Sequence, residues 1–159
     1  LNGLQTLLES KSHTSKLMML RELELHDCIG CYSCWLKTPG ICCFKDEMAN
    51  ILKEYLAADF VILASPIIMH YTSALLKRVF DRLLPLGHPF LVLRENKMGH
   101  VQRYNHYPKN ALILGEYEEL GAESIKLIEA VYKNSVRGLE KIWSTHQETE
   151  VIYNEIINI

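Results

Sequence analysis

Asp59-Phe-Val-Ile-Leu-Ala-Ser65 is the stretch that decides the fold. Its apolar residues run on without alternating with polar ones. A strand with one wet face alternates, whereas a parallel strand covered on both faces is apolar throughout. Ser65-Pro66 closes the run, since proline has no amide hydrogen for a ladder and turns the chain. The stretch therefore predicts one strand of a parallel α/β sheet.

The flanking sequence keeps that rhythm. Leucines at helical spacing predict a helix over residues 1–8, and Lys16-Leu-Met-Met-Leu20 ends a segment, 13–20, that reads as a buried strand. Asp46 is placed to cap a helix over 48–56. Ser73-Ala-Leu-Leu-Lys-Arg-Val-Phe-Asp-Arg-Leu-Leu84 has apolar residues at helical spacing, with Thr72 or Ser73 as its cap and Pro85 as its stop. Strand 111–114, helix 123–136, strand 140–144 and helix 149–157 follow. Such alternation implies right-handed crossovers with helices on both faces of one sheet, hence a single domain over 1–159. Ligands of these sheets bind beyond the strand carboxyl ends, which singles out the loops 21–45, 65–72 and 115–121.

Composition narrows the function. A hydrophobic share of 48%, a net charge of −2 and a pI near 6.4 describe a globular chain without the basic footprint that nucleic acid or an anionic membrane surface requires. No apolar run approaches the roughly twenty residues that span a bilayer, and nothing reads as a signal peptide, so a cytoplasmic protein is expected.

All five cysteines are local: Cys28, Cys31, Cys34, Cys42 and Cys43. Buried structural cysteines have no reason to recur at every third residue, whereas thiolates that share a metal or exchange electrons must converge. An odd, clustered set fits metal or redox chemistry in a reducing compartment better than a secreted disulfide framework. Iron-sulfur ligation, zinc and an unmetallated loop all remain open, zinc second because its ribbons use two separated pairs. Cys43 competes with Cys42 for the fourth position.

The order of motifs is more specific than any one of them. Cys28-Ile-Gly-Cys-Tyr-Ser-Cys-Trp-Leu-Lys-Thr-Pro-Gly40, Lys45-Asp-Glu-Met48, Ala64-Ser-Pro66 and Ser73-Ala-Leu-Leu-Lys77 with Asp81-Arg82 together resemble the flavodoxin-like NAD(P)H-dependent FMN reductases, and within them the iron-sulfur flavoprotein branch. The similarity runs from residue 1 to about residue 120. It implies a doubly wound parallel sheet of order 2-1-3-4-5, with FMN along the carboxyl ends of strands 1, 3 and 4. Such proteins open with a strand and a Ser/Thr-rich phosphate loop, so the first strand and the phosphate ligands are expected to lie outside this sequence, before Leu1, unless another chain supplies the strand.

The resemblance also implies sites. Ser65, Pro66, Ile67, Ile68, Met69, His70 and Tyr71, with Gly115, Glu116 and Tyr117, are the expected FMN-binding residues. Cys28, Cys31, Cys34 and Cys42 are the expected ligands of a [4Fe-4S] cluster. The expected function is an FMN-dependent oxidoreductase that takes electrons from NAD(P)H and passes them to a small-molecule or protein acceptor or to the cluster. The alternatives are a non-enzymatic flavin/iron-sulfur carrier and a degenerate, cofactor-free binding module. No catalytic side chain is named, because the flavin carries the chemistry. Asp81 and Arg82 are adjacent on a helix and do not face each other, so they are read as structural. The insert 87–109, with His88, His100, Arg103, Tyr104, His106 and Tyr107, reads as a binding face or, ahead of that, a subunit contact in a homodimer or homotetramer.

Overall fold

The computed structural model describes residues 1–94, 97–115, 117, 119–136 and 138–159. In chain order the elements are α1 (Asn2–Ser10), α2 (Ser33–Leu36), α3 (Met48–Ala57), β1 (Phe60–Ile68), β2 (Tyr71–Thr72), α4 (Ala74–Asp81), β3 (Gly87–Arg94), β4 (Lys97–Gln102), β5 (Lys109–Gly115), α5 (Ala122–Ser135), β6 (Leu139–Ser144) and α6 (Thr149–Ile156). The class is α/β with a mostly parallel sheet and flanking helices, flavodoxin-like as the sequence implies. The chain divides into two compact units, one of Leu1–Leu20, Ile62–Ser73 and Lys109–Ile159, the other of Arg21–Val61 and Ala74–Pro108.

The first unit holds the sheet, in the order β2-β1-β5-β6. β5 runs parallel to β6, with Leu112 opposite Ile142 and Leu114 opposite Ser144. Asn110, Ala111, Leu112, Ile113 and Leu114 are all buried, so β5 is the strand covered on both faces. Trp143 of β6 is fully buried and donates from Nε1 to Glu155 Oε2 of α6 at 2.7 Å, satisfying the indole where it would otherwise be stranded. Ile128 and Tyr132 of α5 and Ile152 of α6 complete the core, and α1 packs against α6.

Two expectations fail here. β1 is apolar throughout yet only half-buried from Phe60 to Ala64, because on the side away from β5 it is paired, among the described residues, only where Ile67 and Ile68 meet Thr72 and Tyr71. Residues 13–19 form no strand, and Leu17 is exposed. An apolar segment becomes a strand only when a neighbour takes its amides, and among the described residues none is in register with it.

In the second unit, Met48, Ile51 and Leu52 of α3 and Leu76 and Val79 of α4 are buried. Residues 87–109, read from sequence as an insert on a binding or subunit-contact face, begin as an antiparallel ribbon of β3 and β4, with Leu91 opposite His100 and Leu93 opposite Met98. The polar residues after the ribbon tie down its base. Arg103 donates from Nε to the Pro85 carbonyl at 2.9 Å and from Nη2 to the Gly87 carbonyl at 3.1 Å, while the Tyr107 hydroxyl donates to the Leu86 carbonyl.

A buried ion pair organises the rest of this unit. The side chains of Arg82 and Asp46 are each 1% exposed. Arg82 grips both carboxylate oxygens, Nη1 on Oδ2 at 2.5 Å and Nη2 on Oδ1 at 2.9 Å, and lies over the Phe44 ring. Asp46 also accepts from the His26 amide at 2.8 Å and the Met48 amide at 3.2 Å, the second being the capping contact expected from sequence. Burial opposes the charge on Asp46, but the guanidinium, the His26 amide and the His26 ring outweigh it and hold the carboxyl well below the usual range.

Two stability measurements check this architecture. Leu112→Ala, at the fully buried centre of β5, is expected to cost about 2–5 kcal/mol in urea unfolding. Asp46→Asn strands the guanidinium and is expected to cost about 3–5 kcal/mol at neutral pH. The folded-state pKa of Asp46 lies below its unfolded value of about 3.9. Its contribution is therefore complete above that value and disappears as pH falls through the folded pKa, so the gap between wild type and variant holds steady down to about pH 5 and narrows only in stronger acid.

Candidate functional site

In the first unit, the predicted flavin loop is built differently from a loop. β1 continues past Ser65-Pro66 to Ile68, and the chain reverses through Met69 and His70 into β2. Both turn residues take positive φ, 50° and 63°. The left-handed region costs a side chain about 1–2 kcal/mol per residue, so the surroundings must hold the turn. Ser65 does so by accepting from the Ser73 amide at 2.8 Å while donating to the Pro66 carbonyl at 2.8 Å. Tyr132 accepts from the Thr72 amide at 2.8 Å, and its ring stacks on Tyr71.

Gly115 ends β5 beside this turn, and a Cβ there would stand 3.4 Å from Pro66 Cα. A glycine thus lets the carboxyl ends of the two strands approach closely. Tyr117 donates to Glu129 at 3.0 Å, and burial together with that carboxylate pushes its hydroxyl up to about 12. Nine of the ten predicted flavin residues are therefore placed at the carboxyl end of one sheet; Glu116 lies outside the described residues. Ile68 and Met69 are exposed, and the buried Thr72 Oγ1 has no hydrogen-bond partner among the described residues. Exposed apolar side chains, an aromatic pair and an unsatisfied hydroxyl at this edge fit the ring end of a flavin in chemistry.

The second unit brings all five cysteines together around one small cavity of about 20 Å³, lined also by Tyr32, Phe44 and Leu84. Gly30 and Tyr32 turn the loop through positive φ, 64° and 53°, and α2 starts at once after Tyr32. Trp35 anchors α2 by donating from Nε1 to the Leu84 carbonyl at 2.9 Å and packs on the His100 ring.

The thiols are not equivalent. Cys34 is buried, and burial followed by the neighbouring Cys42 pushes its thiol up. Cys42 accepts from Arg82 Nη2 at 3.3 Å, so the buried ion pair reaches into the cysteine loop. Cys31 and Cys43 are exposed and their sulfurs lie 3.6 Å apart. Hydrogen bonds from Ser33, then the Cys43 thiol, pull Cys31 down to about 7, while Cys31 in turn holds the Cys43 proton.

Four or five thiols converging on one cavity have the donor chemistry of an iron-sulfur cluster. Among the described residues, however, no three His, Cys, Asp or Glu side chains stand in metal-binding geometry, and the cavity is about the size of one water. The donors fit the group in kind; the loop has to open to admit it. Among the described residues no helix is long and apolar enough to cross a membrane.

Sequence reasoning missed the role of Arg82 and Asp46 at Cys42. A signal was present: Leu75, Val79 and Arg82 follow at helical spacing, which puts a charged residue on the apolar stripe of the helix and demands a buried anion. Asp81, adjacent in sequence, instead pairs with Lys77, as the rule against neighbouring helical pairs requires.

An iron-sulfur flavoprotein of Methanocaldococcus jannaschii is 39% identical over 85 residues, covering 54% of this chain and 42% of that protein. Iron-sulfur flavoproteins of Archaeoglobus fulgidus and Methanosarcina thermophila are 32% identical over 81 residues and 34% over 76, covering 51% and 48% of this chain and 36% and 38% of theirs. The chain thus spans about two fifths of the length of the curated relatives it matches. No solved structure matches it. The family profile described as NADPH-dependent FMN reductase matches residues 1–100. Similar to iron-sulfur flavoproteins over about half of its length, the chain belongs to the NADPH-dependent FMN reductase family.

Proposed function

We propose that the chain is part of a flavin-dependent oxidoreductase that takes electrons from NAD(P)H and passes them to a small-molecule or protein acceptor, with a cluster on the cysteine loop as relay. The observation that carries this reading is the convergence of all five cysteines on one cavity in a chain of an FMN reductase family. When bound, FMN supplies hydride acceptance and single-electron release, and a [4Fe-4S] cluster supplies single-electron storage.

The chain's own residues bind and orient. Ser65, Pro66, Ile67, Ile68, Met69, His70 and Tyr71, with Gly115, Glu116 and Tyr117, form the flavin edge, held in advance by Tyr132 and by the Ser65 hydroxyl. Cys28, Cys31, Cys34 and Cys42 hold the cluster. The Arg82 donor fixes the position of the Cys42 sulfur in the loop, which supports Cys42 over Cys43 as the fourth ligand. Clustered free thiols fit a reducing, cytoplasmic setting.

The ribbon supports an oligomer. Phe90, Leu91, Leu93 and Met98 are each at least 60% exposed on β3 and β4. An apolar patch of this kind marks an interaction surface, and a two-stranded ribbon is marginal in water without cover. A second copy of this chain is the proposed cover, in a homodimer or homotetramer.

Two measurements test the reading. Anaerobically purified protein is expected to carry FMN and iron, to show flavin bands with a broad iron-sulfur shoulder, and to oxidise NAD(P)H; a colourless protein that binds no FMN overturns it. Flavin with reversible reduction but no NAD(P)H turnover selects a carrier instead. For the ribbon, Phe90→Asp with Leu93→Asp is expected to shift sedimentation towards the monomer without loss of the fold, and an unchanged oligomer removes the interface.

A further inference from the structure

Five cysteines are one more than a four-thiolate cluster uses, and the structure sorts them. Cys34 is buried. Cys42 is engaged by Arg82, whose guanidinium is fixed in turn on Asp46. Its neighbour Cys43 is exposed, and its sulfur lies 3.6 Å from that of Cys31, also exposed. Two solvent-open sulfurs at van der Waals contact, held by separate parts of one folded loop, are placed for bond formation between them.

We infer that Cys31 and Cys43 are a thiol–disulfide exchange site that reacts with low-molecular-weight disulfides. One thiolate attacks a sulfur of the external disulfide, forming a mixed disulfide and releasing the first external thiolate. The second cysteine thiolate attacks the protein sulfur of that mixed disulfide, closing the Cys31–Cys43 bond and releasing the second. The pair gives up two electrons, the external disulfide is reduced to two thiols, and the two cysteine protons end on them. The second step is intramolecular, and the existing contact makes it fast relative to attack by another external molecule.

The inference does not rest on the flavin or cluster reading. It does impose an exclusion: Cys31 cannot hold iron while bonded to Cys43, so the disulfide belongs to the iron-free loop. Cys42, turned to the guanidinium, remains outside the exchange.

The test uses the full chain, freed of iron with a chelator, reduced, and exposed to oxidised glutathione without air. Expected is the loss of two of the five thiols and of the mass of two hydrogens, with a bond between Cys31 and Cys43 found by peptide mapping. Cys42→Ser should keep that bond. Cys43→Ser should abolish it and leave glutathione on Cys31, and Cys31→Ser should leave it on Cys43. A bond through Cys28, Cys34 or Cys42, or glutathione retained on the wild-type chain with no internal bond, overturns the inference.

Discussion

A guanidinium taken out of water must find an anion, and in the second unit nearly everything follows from how Arg82 finds Asp46. One carboxylate gathers the guanidinium just beyond α4, the amide and ring of His26, and the amide that opens α3. The loop from residue 21 to residue 47 is thereby tied at both ends although it contains little regular structure. Cys42 is held through the same guanidinium, so the position of that thiol depends on the ion pair as well as on the cysteine spacing. A pair like this adds less to net stability than its removal suggests, because the desolvation of both ions offsets their attraction. Its larger effect is to allow one arrangement of the loop.

The first unit solves a comparable problem with neutral groups. Met69 and His70 occupy backbone conformations that favour glycine, and they are held by Tyr132 and Ser65, each bonded to an amide at the end of the turn. Strain kept in place by buried donors and acceptors makes a turn that is formed before any ligand arrives. Gly115 works in the same direction by letting β5 approach Pro66. Binding at this edge therefore does not have to order the backbone first.

Much of this was legible in the sequence where the pattern was long. β5, α3, α5, β6 and α6 appear within about two residues of their predicted limits, because helical spacing and apolar runs reflect burial that the fold supplies. The strand expected over 13–20 is absent because strand formation is a property of two segments, and the apolar run says nothing about its neighbour. The ribbon within residues 87–102 was not legible as strands because Gly99, His100 and Gln102 interrupt its apolar residues, several of which face outward. The cysteine spacing announced convergence, but that Cys42 is the thiol held by Arg82 depended on a residue far away in the chain.

The free side of β1 has a consequence for handling the molecule. Val61-Ile-Leu-Ala-Ser65 is uncharged, mostly apolar and free of proline, and among the described residues its outer side meets a strand only from Ile67. Segments of this composition stack on their own copies into cross-β layers when their edge is uncovered. A β1 edge with so few ladder partners therefore favours association of chains through that strand in concentrated solution.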